Sequence, residues 1–297
     1  MSRVLVFGSI NMDLVVETST FPRLGETLAG ASFATHAGGK GANQAVAAAR
    51  LGADVTMLGR VGADAFGREL KARLGAEGVG TRWVHETTGV STGIAAVTVC
   101  NADNAIVVVP GSNACLSVAD LDAAEAAFAE ADVVLAQLEV PLATVEHGAE
   151  LAARYRKPFV LNPAPAARLP ESLLSRCTLI TPNEYELGTA LAEPDVRWQE
   201  LLTRLPGRVV LTRGAEGAYF TDAAGGLRHQ PGFAVEAVDS TGAGDTFNGA
   251  LGAFWDLGLA EAVRRGSAAG ALSVTKRGAQ DSMPTLAELD AFLDRAS

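Results

Sequence analysis

The stretch Val4-Leu5-Val6-Phe7-Gly8-Ser9-Ile10-Asn11-Met12-Asp13 opens with four consecutive apolar residues and then turns small and polar. A short unbroken apolar run reads as a strand covered on both faces, which is the habit of parallel sheets flanked by helices. The run is too short for the apolar region of a secretory signal and no small-residue cleavage site follows, so we expect a buried first strand. Similar runs recur at Val55–Leu58, Val133–Gln137, Phe159–Asn162, Leu179–Thr181 and Val209–Thr212. Helical stretches lie between them at Ala42–Leu51, Gly67–Glu77, Leu121–Ala131, Leu142–Arg156 and Trp198–Leu205. Ser117 with Asp120 and Thr285 with Glu288 read as helix-start signals. Strand alternating with helix at this spacing predicts crossover units: a mainly parallel sheet between two helical layers, α/β/α.

Two stretches break that rhythm. Residues 13–33 and 89–109 lack helical periodicity but contain Leu14-Val15-Val16, Ile94–Val99 and Ile106–Val109 between turn residues. Long structureless loops are uncommon inside compact domains. We therefore expect a small accessory β-layer projecting from a core made of residues 1–12, 34–88 and 110–297.

Composition narrows the function classes. The chain has 297 residues, 48% hydrophobic and 20% charged, which is a globular balance. Lys plus Arg number 24 against 34 Asp plus Glu, a formal charge of −10. That acidity, without a basic cluster, argues against nucleic acid as partner. No apolar run approaches the length of a membrane helix, so no membrane partner is expected. Cys100, Cys115 and Cys177 form no CxxC pair, which argues against a disulfide framework or zinc site and suggests a reducing cytoplasm. The four histidines show no metal-ligand spacing.

The strongest chemical signal is Asp239-Ser240-Thr241-Gly242-Ala243-Gly244-Asp245, just before the helical stretch Thr246–Leu257. Small residues at a helix start let backbone N–H groups approach a ligand, and the helix end adds partial positive charge. Such a nest suits a phosphoryl group in transfer, with Asp245 at its mouth to accept a hydroxyl proton. No GxxxxGK[ST] occurs, and no GxGxxG follows the first strand. Ligands of open parallel sheets bind beyond strand carboxyl ends. That places Asn11 and Asp13, Glu139, Asn183 and Glu186, and Thr212–Gly217 where a ligand would lie. Gly38-Gly39-Lys40-Gly41-Ala42-Asn43-Gln44 is a second glycine-rich helix start, from which Lys40 can reach a phosphate or hydroxyl and Asn43 a hydroxyl. Taken singly, each of these is as readily a plain turn or a solvated strand end.

Together, Gly8–Asp13, Gly38–Ala45, Asn162–Pro165, Thr181–Glu184, Asp239–Ala250 and Gly278–Pro284 resemble the ribokinase-like carbohydrate kinase family, in the same order and nearly end to end. The Gly242–Asp245 motif marks the wider family; Gly8–Asp13 with Gly38–Ala45 points to its ribose-phosphorylating members. The resemblance implies transfer of the ATP γ-phosphoryl to O5 of D-ribose, giving D-ribose 5-phosphate and ADP. Asn11, Met12, Asp13, Gly39, Lys40, Gly41, Ala42, Asn43 and Glu139 would then surround the sugar, with Asp245 as base. The amides of Gly242, Ala243 and Gly244 would form the anion hole. Asn183, Thr212, Arg213, Gly214, Ala215, Glu216, Gly217, Gly244 and Ser267 would border ATP. Glu186 would place Mg²⁺ through water. Asp239, Thr241, Ser273, Lys276, Gly278 and Ser282 would hold K⁺, mostly through carbonyls. The accessory layer would be a lid that pairs two subunits into a homodimer, and the location cytoplasmic. Ser240 and Gly242 stand where many members carry other small residues, Ser267 falls at a variable position, and Glu193–Trp198 does not align.

Rival readings are a related kinase for deoxyribose, fructose or a nucleoside, a sugar-binding sensor without catalysis, and a nicotinamide-dependent oxidoreductase. An intact Asp245 and glycine run argue against the second, and the missing fingerprint after the first strand argues against the third.

Overall fold

A computed structural model describes residues 1–101, 103–222 and 224–296; Ala102, inside the 89–109 stretch, and Ala223 and Ser297 lie outside the description. The chain runs β1 (Arg3–Phe7), β2 (Asn11–Glu17), β3 (Ser32–Gly38), α1 (Lys40–Arg50), β4 (Asp54–Gly62), α2 (Ala65–Ala76), β5 (Gly80–Thr87), β6 (Gly93–Cys100) and β7 (Asp103–Val109). It continues through α3 (Val118–Ala123), α4 (Glu125–Glu130), β8 (Val133–Ala136), α5 (Leu142–Arg154), β9 (Phe159–Leu161), α6 (Glu171–Arg176), β10 (Leu179–Ile180), α7 (Glu184–Ala190) and α8 (Trp198–Arg204). It ends with β11 (Val210–Thr212), β12 (Gly217–Thr221), β13 (Leu227–Pro231), α9 (Ala243–Ala253), α10 (Leu259–Ser273) and α11 (Leu286–Ala296).

Six parallel strands form the central sheet in the order β10-β9-β8-β1-β4-β5. Alternation along β1 makes the three layers. Val4 and Val6 pack with α1, α2, α9, α10 and α11 on one face. Leu5 and Phe7 pack with α3 through α8 on the other. The chain moves outward from β1 to β5 and restarts on the other side at β8, so a crevice opens beyond the carboxyl ends of β1 and β8. The antiparallel sheet β11-β12-β13 continues this layer through parallel bridges Ile180–Val209 and Asn183–Thr212.

Several elements differ from the sequence reading. β5 carries Arg82, His85 and Glu86 on a half-exposed edge and gives no apolar run, so it was not expected; β12 and β13 were not expected either. The expected single helix over 121–131 breaks at Ala124, whose N–H is shared between the Asp120 and Leu121 carbonyls in a tightened last turn. Both helix-start signals are reciprocal caps, at Ser117 with Asp120 and at Thr285 with Glu288.

A separate four-stranded sheet, β3-β2-β6-β7, leaves the core beside the crevice. β2 pairs parallel with β6, and the outer pairs are antiparallel. Residues 11–12 and 34–38, assigned above to the core, are hydrogen-bonded into this sheet. Asn113 roots it: its side chain accepts from the Ile10 N–H at 2.9 Å and donates to the Ile10 carbonyl and to Asn11 Oδ1. β7 is exposed along its length, leaving Ile106, Val107, Val108 and Val109 in solvent, with Phe33 of β3 also exposed.

The helices that matter most for the crevice, α1 and α9, touch at Gly249. A Cβ there would stand 2.5 Å from Ala47 Cβ and 2.6 Å from the Gln44 carbonyl oxygen. In an exposed helix Gly→Ala stabilises by about 1 kcal/mol, whereas overpacking a tight contact costs about 1–3 kcal/mol. We expect Gly249→Ala to lower the melting temperature; a rise would show that the two helices separate freely.

Candidate active site

Helix α9 begins at a backbone that only glycine adopts easily. Gly242 has φ 76° and ψ 3°, the left-handed region, and its Cα packs beside Ala279. The turn aims the first amides of α9 into the crevice. Among the described residues, the Gly242 and Gly244 N–H groups have no protein acceptor, while Ala243 N–H donates to the Ser240 carbonyl at 3.2 Å. The expected cradle of three amides therefore offers two unengaged donors.

Asp245 sits in the same turn and is only 7% exposed. A buried carboxylate needs hydrogen-bond donors, and α1 supplies two of them. Asn43 Nδ2 donates to Asp245 Oδ2 at 2.9 Å, and Gln44 Nε2 donates to Oδ1 at 3.1 Å. Lys40, in the first turn of α1, faces the same space. Asp245 foremost holds its ammonium above the ordinary lysine range, against burial, with Glu139 and Glu186 adding to the effect.

The strand-end residues converge here. Glu139 Oε2 accepts from the Ser9 hydroxyl at 2.5 Å and from the Lys40 amide at 3.2 Å. The Gly41 amide donates to Ser9 Oγ, and Gly39 precedes α1 as its N-cap. Burial, reinforced by Glu139 and Asp245, pushes the Asp13 carboxyl up to about 7. Asn11 is buried with its carbonyl oxygen held by Asn113 at 2.6 Å. Met12 and Ala42 turn their side chains into the core, leaving only main chain for a ligand.

A cavity of about 150 Å³ is lined by Lys40, Asn162, Glu186, Gly242, Gly244 and Asp245, among others. It meets a second, of about 360 Å³, at Asn183 and Thr212. The second cavity extends past Arg213, Gly214 and Glu216. Arg213 pairs with Glu184 at 3.1 Å and with Glu216, and lies over the Trp198 ring. Ala215 packs its carbonyl against Gly232, and Gly217 opens β12. Asn183 and Glu186 cap α7 reciprocally. Burial raises the Glu186 carboxyl above its usual range, against the Asn183 amide and Lys40. Ser267 lines neither cavity, and its buried Oγ has no partner among the described residues.

Behind the Gly242 turn, Asp239 joins two loops. It accepts from the Thr241 amide and hydroxyl and from the Gly278 amide. Burial pushes its carboxyl up, but these donors win and hold it below the usual carboxylate range. The Ser273 and Ser282 hydroxyls donate to the Gly270 and Ala279 carbonyls, and the Lys276 ammonium turns away to Glu288 at 2.8 Å. The donors left in these loops are oxygens, which suit a hard cation. No cluster of three or more His, Cys, Asp or Glu suited to a metal occurs among the described residues.

The model of the pfkB family carbohydrate kinases matches residues 1–286. The chain belongs to the pfkB family of carbohydrate kinases. Ribokinase of Haemophilus influenzae is 41% identical, covering 98% of this chain and 98% of that relative. Ribokinase of Bacillus subtilis is 40% identical, covering 99% and 100%. The solved structure of Arabidopsis thaliana ribokinase complexed with ribose and ATP has a TM-score of 0.90 at 29% identity, covering 98% of each chain. The architecture above is thus that of pfkB-family carbohydrate kinases.

Sequence reasoning missed Gln44, Gln137, Asn113 and Gln280 as parts of this site. Gln44 adjoins Asn43 in a quoted motif and Gln137 ends a quoted strand, but neither type announces a role. The Asp13 shift gives a pH test. An unfolded Asp titrates near 3.9, so between about pH 4 and pH 7 the folded protein holds the extra proton and stability falls as pH rises. Asp13→Asn should match the parent in melting temperature near pH 4 and exceed it increasingly up to about pH 7. An advantage that shrinks with rising pH would overturn the assignment.

Proposed function

We propose that this chain transfers the γ-phosphoryl group of ATP to the O5 hydroxyl of D-ribose, giving D-ribose 5-phosphate and ADP. The observation that carries this reading is the buried Asp245 carboxylate in the same first turn of α9 as the unengaged Gly242 and Gly244 amides, on a cavity wall shared with Lys40. The ribokinases at about 40% identity over nearly the whole chain support the choice of sugar and donor.

In this mechanism Asp245 takes the O5 proton at its carboxylate, and O5 attacks the phosphorus in line. The Gly242 and Gly244 amides and the Lys40 ammonium stabilise charge on the moving phosphoryl group. Ala243 contributes by fixing the turn. Asn11, Asp13, Gly39, Gly41, Asn43 and Glu139 hold the remaining hydroxyls, with Met12 and Ala42 through main chain. Asn183 and the Thr212–Gly217 loop border the nucleotide along the second cavity; Ser267, which lines neither cavity, is left out of the nucleotide site. The cavity-facing carboxyl of Glu186 fits a water-held Mg²⁺, which neutralises phosphate charge when bound. The oxygens of Asp239, Thr241, Ser273, Lys276, Gly278 and Ser282 fit a K⁺ that braces the Gly242 turn. The sheet β3-β2-β6-β7 acts as a lid that excludes water. Its exposed β7 pairs with a second copy, burying Ile106–Val109. No helix among the described residues is long and apolar enough to cross a membrane, and all three cysteines are free, in keeping with a cytoplasmic location.

Asp245→Asn should leave the fold intact by circular dichroism and lower kcat about 10²–10⁴-fold; near-parental turnover would remove Asp245 from the mechanism. ADP release over a panel of D-ribose, 2-deoxyribose, fructose and nucleosides, scored by kcat/KM, tests the substrate. A preference for another sugar would move the assignment within the family, and ribose binding without ADP release would make the protein a sensor. Turnover should rise when Na⁺ is exchanged for K⁺, and a flat response would count against the cation loops.

A further inference from the structure

We propose that Gln137 and Gln280 are positioning residues for catalysis, locking the amides of Gln44 and Asn43 so that both donate to Asp245. The proposal rests on Asp245 being the base.

An amide side chain has nearly the same outline either way round. Flipped, Gln44 or Asn43 would aim an oxygen at the Asp245 carboxylate, where only a donor is tolerated. The structure holds each in the donating sense by a directional chain. The Thr181 carbonyl can only accept, and Asn162 Nδ2 donates to it at 3.1 Å. That leaves Asn162 Oδ1 to accept from Gln44 Nε2 at 3.3 Å, the same nitrogen that reaches Asp245 Oδ1. Gln44 Oε1 is thereby turned the other way and accepts from Gln137 Nε2 at 2.7 Å. A second arm mirrors the first: Gln280 Nε2 donates to Asn43 Oδ1 at 3.1 Å, and Asn43 Nδ2 donates to Asp245 Oδ2.

Two further observations separate this from ordinary core polarity. Gln137 is fully buried, yet its own Oε1 has no partner among the described residues. Leaving a buried acceptor without a partner is destabilising, so the orientation is set by the need at Gln44. Gly8 then makes room: a Cβ there would collide with Gln137 Oε1. Neither Gln137 nor Gln280 lines the cavities described above, so both act through another side chain. The result is a carboxylate pinned through both oxygens, unable to rotate, with one lone-pair direction on each oxygen left for the hydroxyl it serves.

The test uses Gln44→Met and Gln137→Met, which keep an unbranched side chain of similar length without the amide. Each is made alone, together, and in the Asp245→Asn background, with ribose and ATP kinetics and melting curves. Gln44→Met should lower kcat about 10–100-fold with both KM values within about two-fold, the scale of one hydrogen bond to a charged group. Gln137→Met should lower kcat by less, and the double variant should be no worse than Gln44→Met, because one residue works through the other. In the Asp245→Asn background neither change should lower the residual rate. A raised KM at unchanged kcat, or equal losses with and without the carboxylate, overturns the proposal. Unchanged kcat in both Met variants beside a crippled Asp245→Asn overturns it while sparing the base assignment; an active Asp245→Asn overturns the base assignment itself. Should Gln44→Met fail to fold, Gln137→Met and Gln280→Met carry the same comparison: a kcat loss that vanishes in the Asp245→Asn background supports the lock, and any other pattern sinks it.

Discussion

The seating of the Asp245 carboxylate against the first turns of α1 is the contact on which the rest of the site depends. Its two donors lie 202 and 201 residues away in the chain, so nothing local holds them there. The sheet does. β1 and β8 set the depth of the crevice, and α1 and α9 pack over the same face at glycine distance. A carboxylate in that position is tolerable only because donors meet it within hydrogen-bond reach. Packing and chemistry are therefore one constraint: helices spaced any wider would leave the charge buried without donors.

That constraint explains what could and could not be read from the sequence. β1, β8, β9 and β10 were legible because strands covered on both faces are spelled as unbroken apolar runs. β5 and β13 were not, because each lies at a sheet edge and mixes charged residues with apolar ones. Leu14-Val15-Val16 and Ile94–Val99 did mark strands, although the sheet they build reaches further toward the crevice, to the paired Asn11 and Gly38. At the site, Asp239–Asp245 and Gly38–Asn43 stood out because glycines beside a helix start are unusual spelling. Gln44 and Gln137 did not, because an amide looks the same in sequence whether solvated or locked to a partner 93 residues off. The diversion of the Ala243 amide to Ser240 was likewise invisible, since it depends on the turn geometry alone.

Electrostatically the site is mixed. Among the described residues Lys40 is the one basic side chain lining the smaller cavity, facing Asp245 and Glu186, with Asp13 and Glu139 beyond. A polyphosphate entering such a space is repelled by carboxylates unless main-chain donors and cations offset them. The two unengaged amides at the start of α9 are neutral, fixed donors of the kind that could supply part of that offset without reorganisation.

β2 passes from Asn11 and Asp13 at the floor of the crevice to Val15 and Glu17 far out in the second sheet without interruption. In a pleated strand alternate residues share a face, so Asn11, Asp13, Val15 and Glu17 lie along one side of a single ribbon. The crevice floor and the outer sheet thus share one continuous backbone, so a displacement at either end of the strand is felt at the other.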